Sequence, residues 1–140
     1  MKFENSVGAV VYKKSECLLL KYGLGHWGLV KGNKEKGESE QETILRELEE
    51  ETGITEASII EGFKEKTDYF YKMEGNTIHK FVTYLLIKSG SKDVELSFEH
   101  DDFQWLPFEK AIEKVDFKDV KKVIKEAQNF LLNSDKIEKD

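Results

Sequence analysis

Residues Gly32 to Ile54 read GNKEKGESEQETILRELEEETGI, with eight glutamates and the chain's single arginine, Arg46. The start and stop signals inside this stretch define a helix. Ser39-Glu40-Gln41-Glu42 is a capping-box sequence, in which the Ser39 hydroxyl accepts from the Glu42 amide while the Glu42 side chain reaches back. Gly53 ends the helix because glycine tolerates the left-handed conformation after a last turn, and Ile54 supplies the apolar contact that often follows. The spacing therefore predicts a helix over Glu40–Thr52.

With Glu47 at zero on a helical wheel, Glu51 falls at about +40° and Glu50 at about −60°, while Ile44, Leu48 and Leu45 fall between about 60° and 160°. One face is apolar. Beside it lies a compact face of three carboxylates. Like charges at this spacing repel by ~0.2–0.5 kcal/mol per pair, and they sit in the helix's C-terminal half, where the macrodipole also disfavours them. No lysine lies between Gly37 and Lys64 to interleave with them. A solvated acidic face is one reading. A set of oxygen ligands shared by hard divalent cations is the other, and it relieves the repulsion. Arg46 can pair with Glu49, Glu50 or Glu38. Its planar fork holds a carboxylate in one orientation, which a lysine does poorly; an ordinary surface pair is the alternative.

Outward from this helix, the 140 residues have the size of one domain, predicted over 1–134, with a frayed tail over 135–140. Apolar content of 39% and charged content of 36% describe a folded chain rather than a disordered one. A net charge of −6 disfavours a sequence-independent nucleic-acid binder, which needs a basic surface. No apolar run approaches the ~20 residues of a membrane span. The start, MKFENSVGAVVYKK, has no signal-peptide pattern, and the lone Cys17 has no disulfide partner, so a reducing cytoplasm is expected. A monomer is expected, with no membrane association and no stable nucleic-acid complex.

Ser6–Tyr12 and Cys17–Tyr22 read as a strand hairpin. The glycine-rich YGLGHWG reads as a loop, and Gly32–Gly37 as a second, polar one. Ile59–Lys72 and Thr77–Ser89, joined by the turn sequence MEGN, read as a long hairpin. Phe103–Leu106 is a short strand closed by Pro107. Phe108, Ala111, Ile112 and Val115 fit a short helix, and Val120, Val123, Ile124, Ala127 and Leu131 a longer one. The order predicts an α/β (α+β) fold with a mixed sheet packed against helices.

The opening stretch resembles the Nudix box, G-x5-E-x7-R-E-U-x-E-E-x-G-U with U apolar. Gly32, Glu38, Arg46, Glu47, Leu48, Glu50, Glu51, Gly53 and Ile54 match at every specified position. The resemblance implies a Nudix fold, a mixed sheet sandwiched between helices (α/β/α). It also implies hydrolysis of a nucleoside diphosphate linked to another moiety, with Mg2+ or Mn2+ and more than one ion. By this match Arg46 is a catalytic-site residue and Glu47, Glu50 and Glu51 are metal ligands, with the Gly32 carbonyl beside them. One carboxylate takes the proton of the attacking water; the box does not say which.

The flanks are similar to those of the asymmetrical diadenosine tetraphosphate hydrolases of animals and archaea: His26-Trp27, Lys31-Gly32, Ile59–Phe63, Tyr69, Lys80, Glu99-His100, Trp105 and Phe117-Lys118. Val30 stands where that group usually has proline, and Asn33 where histidine is common. The similarity implies cleavage of diadenosine tetraphosphate to ATP and AMP. Lys31 and Lys80 offer charge to a phosphate chain. Tyr69 and Phe117 are candidates to sandwich adenine, a contact worth ~1–3 kcal/mol that needs no base-specific hydrogen bond; core packing is the alternative. Glu99 resembles a carboxylate that reaches the metals from another loop. His26 and His100 are candidates for phosphate contact or for supporting roles, and Trp27 and Trp105 for packing. Other Nudix chemistries stay open, on 5′-triphosphate RNA ends, ADP-ribose or an oxidised nucleotide. A non-catalytic nucleotide sensor is disfavoured because every box carboxylate is present.

Overall fold

A computed structural model describes residues 1–23 and 25–134; the tail expected to fray lies outside the described residues. The order is β1 (Lys2–Lys13), β2 (Glu16–Tyr22), β3 (Trp27–Gly28), β4 (Val30–Asn33), α1 (Glu40–Thr52), β5 (Ala57–Ile59), β6 (Glu65–Met73), β7 (Asn76–Ser89), β8 (His100–Pro107), α2 (Phe108–Lys114) and α3 (Lys118–Asn133).

The strands form one mixed sheet. β1 and β7 run parallel at its centre, with Gly8 opposite Tyr84. β1 pairs antiparallel with β2 at its C-terminal end and with β4 through its middle, and β8 extends the sheet beyond β2. Burial is continuous along the middle of β1 and β2, as strands covered on both faces require, while successive side chains alternate between the two faces. Val7, Ala9, Val11, Leu18, Leu20, Leu85 and Ile87 pack under α1 through Ile44 and Leu48. Val10, Tyr12, Cys17, Leu19, Val82, Tyr84 and Leu86 pack under α2 and α3 through Phe108, Ala111, Val123, Ile124, Ala127 and Leu131. The result is the predicted sheet between helices. Each fully buried Leu or Ile contributes about 1.5–3 kcal/mol.

Helix α1 has the predicted bounds. The Ser39 hydroxyl accepts from the Glu42 amide at 3.1 Å, and the Glu42 carboxylate accepts from the Ser39 amide at 2.8 Å. Gly53 turns left-handed at φ 76° and its amide donates to the Glu49 carbonyl.

Three sequence readings need correction. Gly32 and Asn33, expected to open a loop, belong instead to the strand Val30–Asn33, because Ser6–Ala9 of β1 provides its hydrogen-bonding edge. Trp27–Gly28 likewise pairs with β2 inside the expected glycine-rich loop. The run Ile59–Lys72 is two strands: Gly62, at φ 95°, turns the chain between β5 and β6.

Candidate active site

The elements converge around β4 and α1. Gly32 of β4 lies directly against Glu47 of α1: a Cβ at Gly32 would stand 2.0 Å from the Glu47 carboxyl carbon. The missing side chain is what lets this carboxylate lie over the strand.

Arg46 organises the approach. Its Nε donates to Glu38 Oε2 at 2.6 Å and its Nη2 to Glu38 Oε1 at 3.0 Å. Nη2 also donates to the Asn33 carbonyl at 3.1 Å, and Nη1 to Glu47 Oε1 at 2.8 Å and to Glu50 Oε2 at 3.2 Å. Glu38 further accepts from the Glu35 amide and the Thr43 hydroxyl, both at 2.9 Å. The fork therefore ties the β4–α1 loop to the helix. Its hydrogen bonds hold the Glu38 carboxyl at a pKa of about 2 and push that of Arg46 further up.

A cavity of about 380 Å3 opens beside this fork. Glu47 and Glu51 of α1, Glu99 and His100 at the start of β8, Lys31 and Gly32 of β4, and Lys80 of β7 line it. Burial, then the neighbouring Glu51, raises the Glu47 carboxyl to about 7. Glu51 is buried, and its Oε1 lies 3.0 Å from His100 Nε2, which raises the imidazole's pKa. Burial lowers the pKa of Lys80 and Lys31, and the charge of Lys80 lowers Lys31 further.

A second cavity, of about 450 Å3, adjoins the first and shares Tyr22 and Lys31 with it. Its walls are aromatic: Tyr22, Tyr69, Tyr84, His26 and Phe117, with Thr67 and Asp119 as further polar groups. Tyr69 is 37% exposed and Phe117 54%, so neither is a core residue. Lys31 Nζ lies 5.5 Å from the Tyr69 ring centroid, a cation–π contact. The His26 ring stacks on Tyr22 at 4.8 Å and meets Phe117 edge-on at 5.2 Å.

The structure thus brings Gly32, Glu47, Glu51, Glu99, Lys31 and Lys80 to one cavity, and Tyr69, Phe117 and His26 to its neighbour. His26 belongs to the aromatic wall rather than the carboxylate cavity, and His100, largely buried in the wall of that cavity, meets Glu51. Glu50 does not line the cavity; its carboxylate turns to Arg46. Trp27 and Trp105 pack against the two cores. Tyr22, which with Lys31 forms the shared wall, is not among the site residues expected from the sequence; its place where a strand meets a glycine-rich loop is the available signal.

No group of three or more His, Cys, Asp or Glu side chains is gathered closely enough to grip a metal among the described residues. The donor chemistry nevertheless fits hard divalent ions. Four carboxylates, Glu35, Glu47, Glu51 and Glu99, and the Gly32 main chain surround one cavity, and the charge of Glu51, which with burial raises Glu47, is what a cation relieves.

A family model described as the NUDIX domain matches residues 2–127. The asymmetrical bis(5′-nucleosyl)-tetraphosphatase of Sus scrofa is 38% identical over 120 residues, 83% of this chain and 80% of that protein. Its counterpart in Mus musculus is 35% identical over 123 residues, 85% and 82% respectively. A crystal structure of a C. elegans Ap4A hydrolase binary complex superposes with a TM-score of 0.81 at 32% identity, covering 93% of this chain and 98% of that one.

Proposed function

This chain belongs to the Nudix hydrolase family, and from that premise we propose that it hydrolyses diadenosine tetraphosphate asymmetrically, to ATP and AMP, with Mg2+ or Mn2+ as cofactor. The observation that carries the reading is the pair of adjoining cavities, one aromatic and one lined by carboxylates and lysines, joined at Tyr22 and Lys31.

Tyr69 and Phe117 hold one adenine between flat faces. Lys31, at the junction, and Lys80, beyond it, receive the phosphate chain as it leaves that pocket. Both lysines are partly desolvated, so their charges act on phosphate with little screening by water. The chain then runs to the carboxylates, where the reacting phosphorus is the fourth from the anchored adenosine.

Glu47, Glu51, Glu99 and the Gly32 carbonyl would hold more than one divalent ion, and Glu50, on the same helical face, would join them on leaving Arg46. Such ions, when bound, neutralise phosphate oxygens and lower the pKa of the attacking water. Arg46 holds Glu47 and the loop in register, and His100 fixes Glu51. One of the carboxylates takes the water's proton.

The same reading gives one domain over 1–134 acting as a monomer on a small-molecule substrate. No helix among the described residues is long and apolar enough to cross a membrane. A cytoplasmic location is part of the same reading, and the lone thiol, Cys17, is buried with its pKa pushed up to about 12.

The test is to incubate the protein with diadenosine tetraphosphate and Mg2+ and separate the products. ATP with AMP supports the reading. Two ADP molecules, or no turnover, sinks it.

A further inference from the structure

Phe98 is 97% exposed, the most exposed large apolar side chain among the described residues. Its position is fixed by its neighbours. The Ser97 amide donates to the Glu51 carbonyl at 3.2 Å, the Glu95 amide to the Thr52 carbonyl at 2.8 Å, and the His100 amide closes a turn on the Ser97 carbonyl at 3.2 Å. Phe98 and Glu99 are the two central residues of that turn, with Cα atoms about 3.8 Å apart. Glu99 lines the carboxylate cavity. The end of α1 thus pins the backbone turn that carries an unpacked phenyl ring next in sequence to a carboxylate of the cavity where the chemistry would occur.

Diadenosine tetraphosphate carries two adenines, and the aromatic cavity accounts for one. Attack at the fourth phosphorus puts the other nucleoside next to the carboxylates, on the side away from Lys31 and Tyr22. The aromatic side chains lining the carboxylate cavity are Tyr22, engaged by His26 at 4.8 Å and His100 at 4.7 Å, and His100, buried against Glu51. We propose that Phe98 stacks on this second adenine, the one released as AMP. The inference rests on the function proposed above and adds a residue that selects a dinucleotide over a mononucleotide. Stacking on one open ring face needs no hydrogen bond to the base, so other bases are accepted at this end.

Adenosine 5′-tetraphosphate has the anchored adenosine and the full phosphate chain but lacks the second nucleoside. The test compares the KM for diadenosine tetraphosphate with the Ki of adenosine 5′-tetraphosphate as a competing ligand, in wild type, Phe98→Ala and Phe98→Tyr. The ratio KM/Ki is expected to rise about five- to tenfold in Phe98→Ala, at the low end of base stacking, and to return to the wild-type value in Phe98→Tyr. An unchanged ratio in Phe98→Ala, or no recovery in Phe98→Tyr, overturns the inference. Absence of turnover by the wild-type protein overturns the proposed function instead.

Discussion

Arg46 grips Glu38 through two parallel hydrogen bonds, Nε to Oε2 at 2.6 Å and Nη2 to Oε1 at 3.0 Å, while its remaining nitrogen reaches Glu47. A lysine ammonium cannot span these partners at once, because it is a point donor rather than a fork. Arg46→Lys is expected to lower kcat by about 10- to 100-fold with the fold kept, as loss of a group that orients ligands usually does. Initial rates beside circular dichroism check this.

The same pair sets an acid limit. The Glu38 carboxyl is lowered from 4.5 to about 2 on folding, so the unfolded chain binds the proton first. The stabilisation is fully present above pH 4.5 and is lost as pH falls through about 2. Melting temperature measured from pH 5 down to pH 2 is expected to fall more steeply in wild type than in Glu38→Gln.

At Gly32 the prediction separates activity from stability. Alanine there places a methyl group 2.0 Å from the Glu47 carboxyl carbon. That carboxyl is the end of a flexible side chain, so it moves and the strand stays. Gly32→Ala is expected to lose activity by about two orders of magnitude while melting within a few degrees of wild type. Paired rate and melting measurements decide it.

Glu51→Gln keeps the side chain's shape and its contact with His100 but removes its charge. Turnover is expected to fall by about two orders of magnitude or more with the fold intact. Near-native rates would remove Glu51 from the ligand set. His100→Ala acts one step back, through Glu51, and is expected to raise the Mg2+ concentration for half-maximal rate about 10- to 100-fold.

How much of this was legible in the sequence depends on whether the determinants are local. The bounds of α1 follow from Ser39, Glu42 and Gly53, whose capping chemistry acts within a few residues. Of the three partners readable for Arg46, the structure realises Glu38 and Glu50 and leaves out Glu49, and only the folded loop brings Glu38 within reach. The β4 strand was not legible, because Val-Lys-Gly-Asn has little strand character of its own and depends on the β1 edge. Glu50 shows a further limit: helical angles place it on the carboxylate face, yet Arg46, four residues before it, captures its side chain.

The aromatic cavity gives a separable prediction. Tyr69→Ala and Phe117→Ala are each expected to raise KM for the dinucleotide by about five- to tenfold or more while leaving kcat within a factor of a few, since both rings bind substrate away from the reacting phosphorus. Steady-state kinetics with saturating Mg2+ tests this.

The central claim is that one adenosine is anchored in the aromatic cavity and water attacks the phosphorus farthest from it. Hydrolysis of diadenosine tetraphosphate in 18O-water, with mass analysis of both products, tests it most directly. The account predicts ATP and AMP, with the label on AMP alone. Two ADP molecules, or label on ATP, would contradict it.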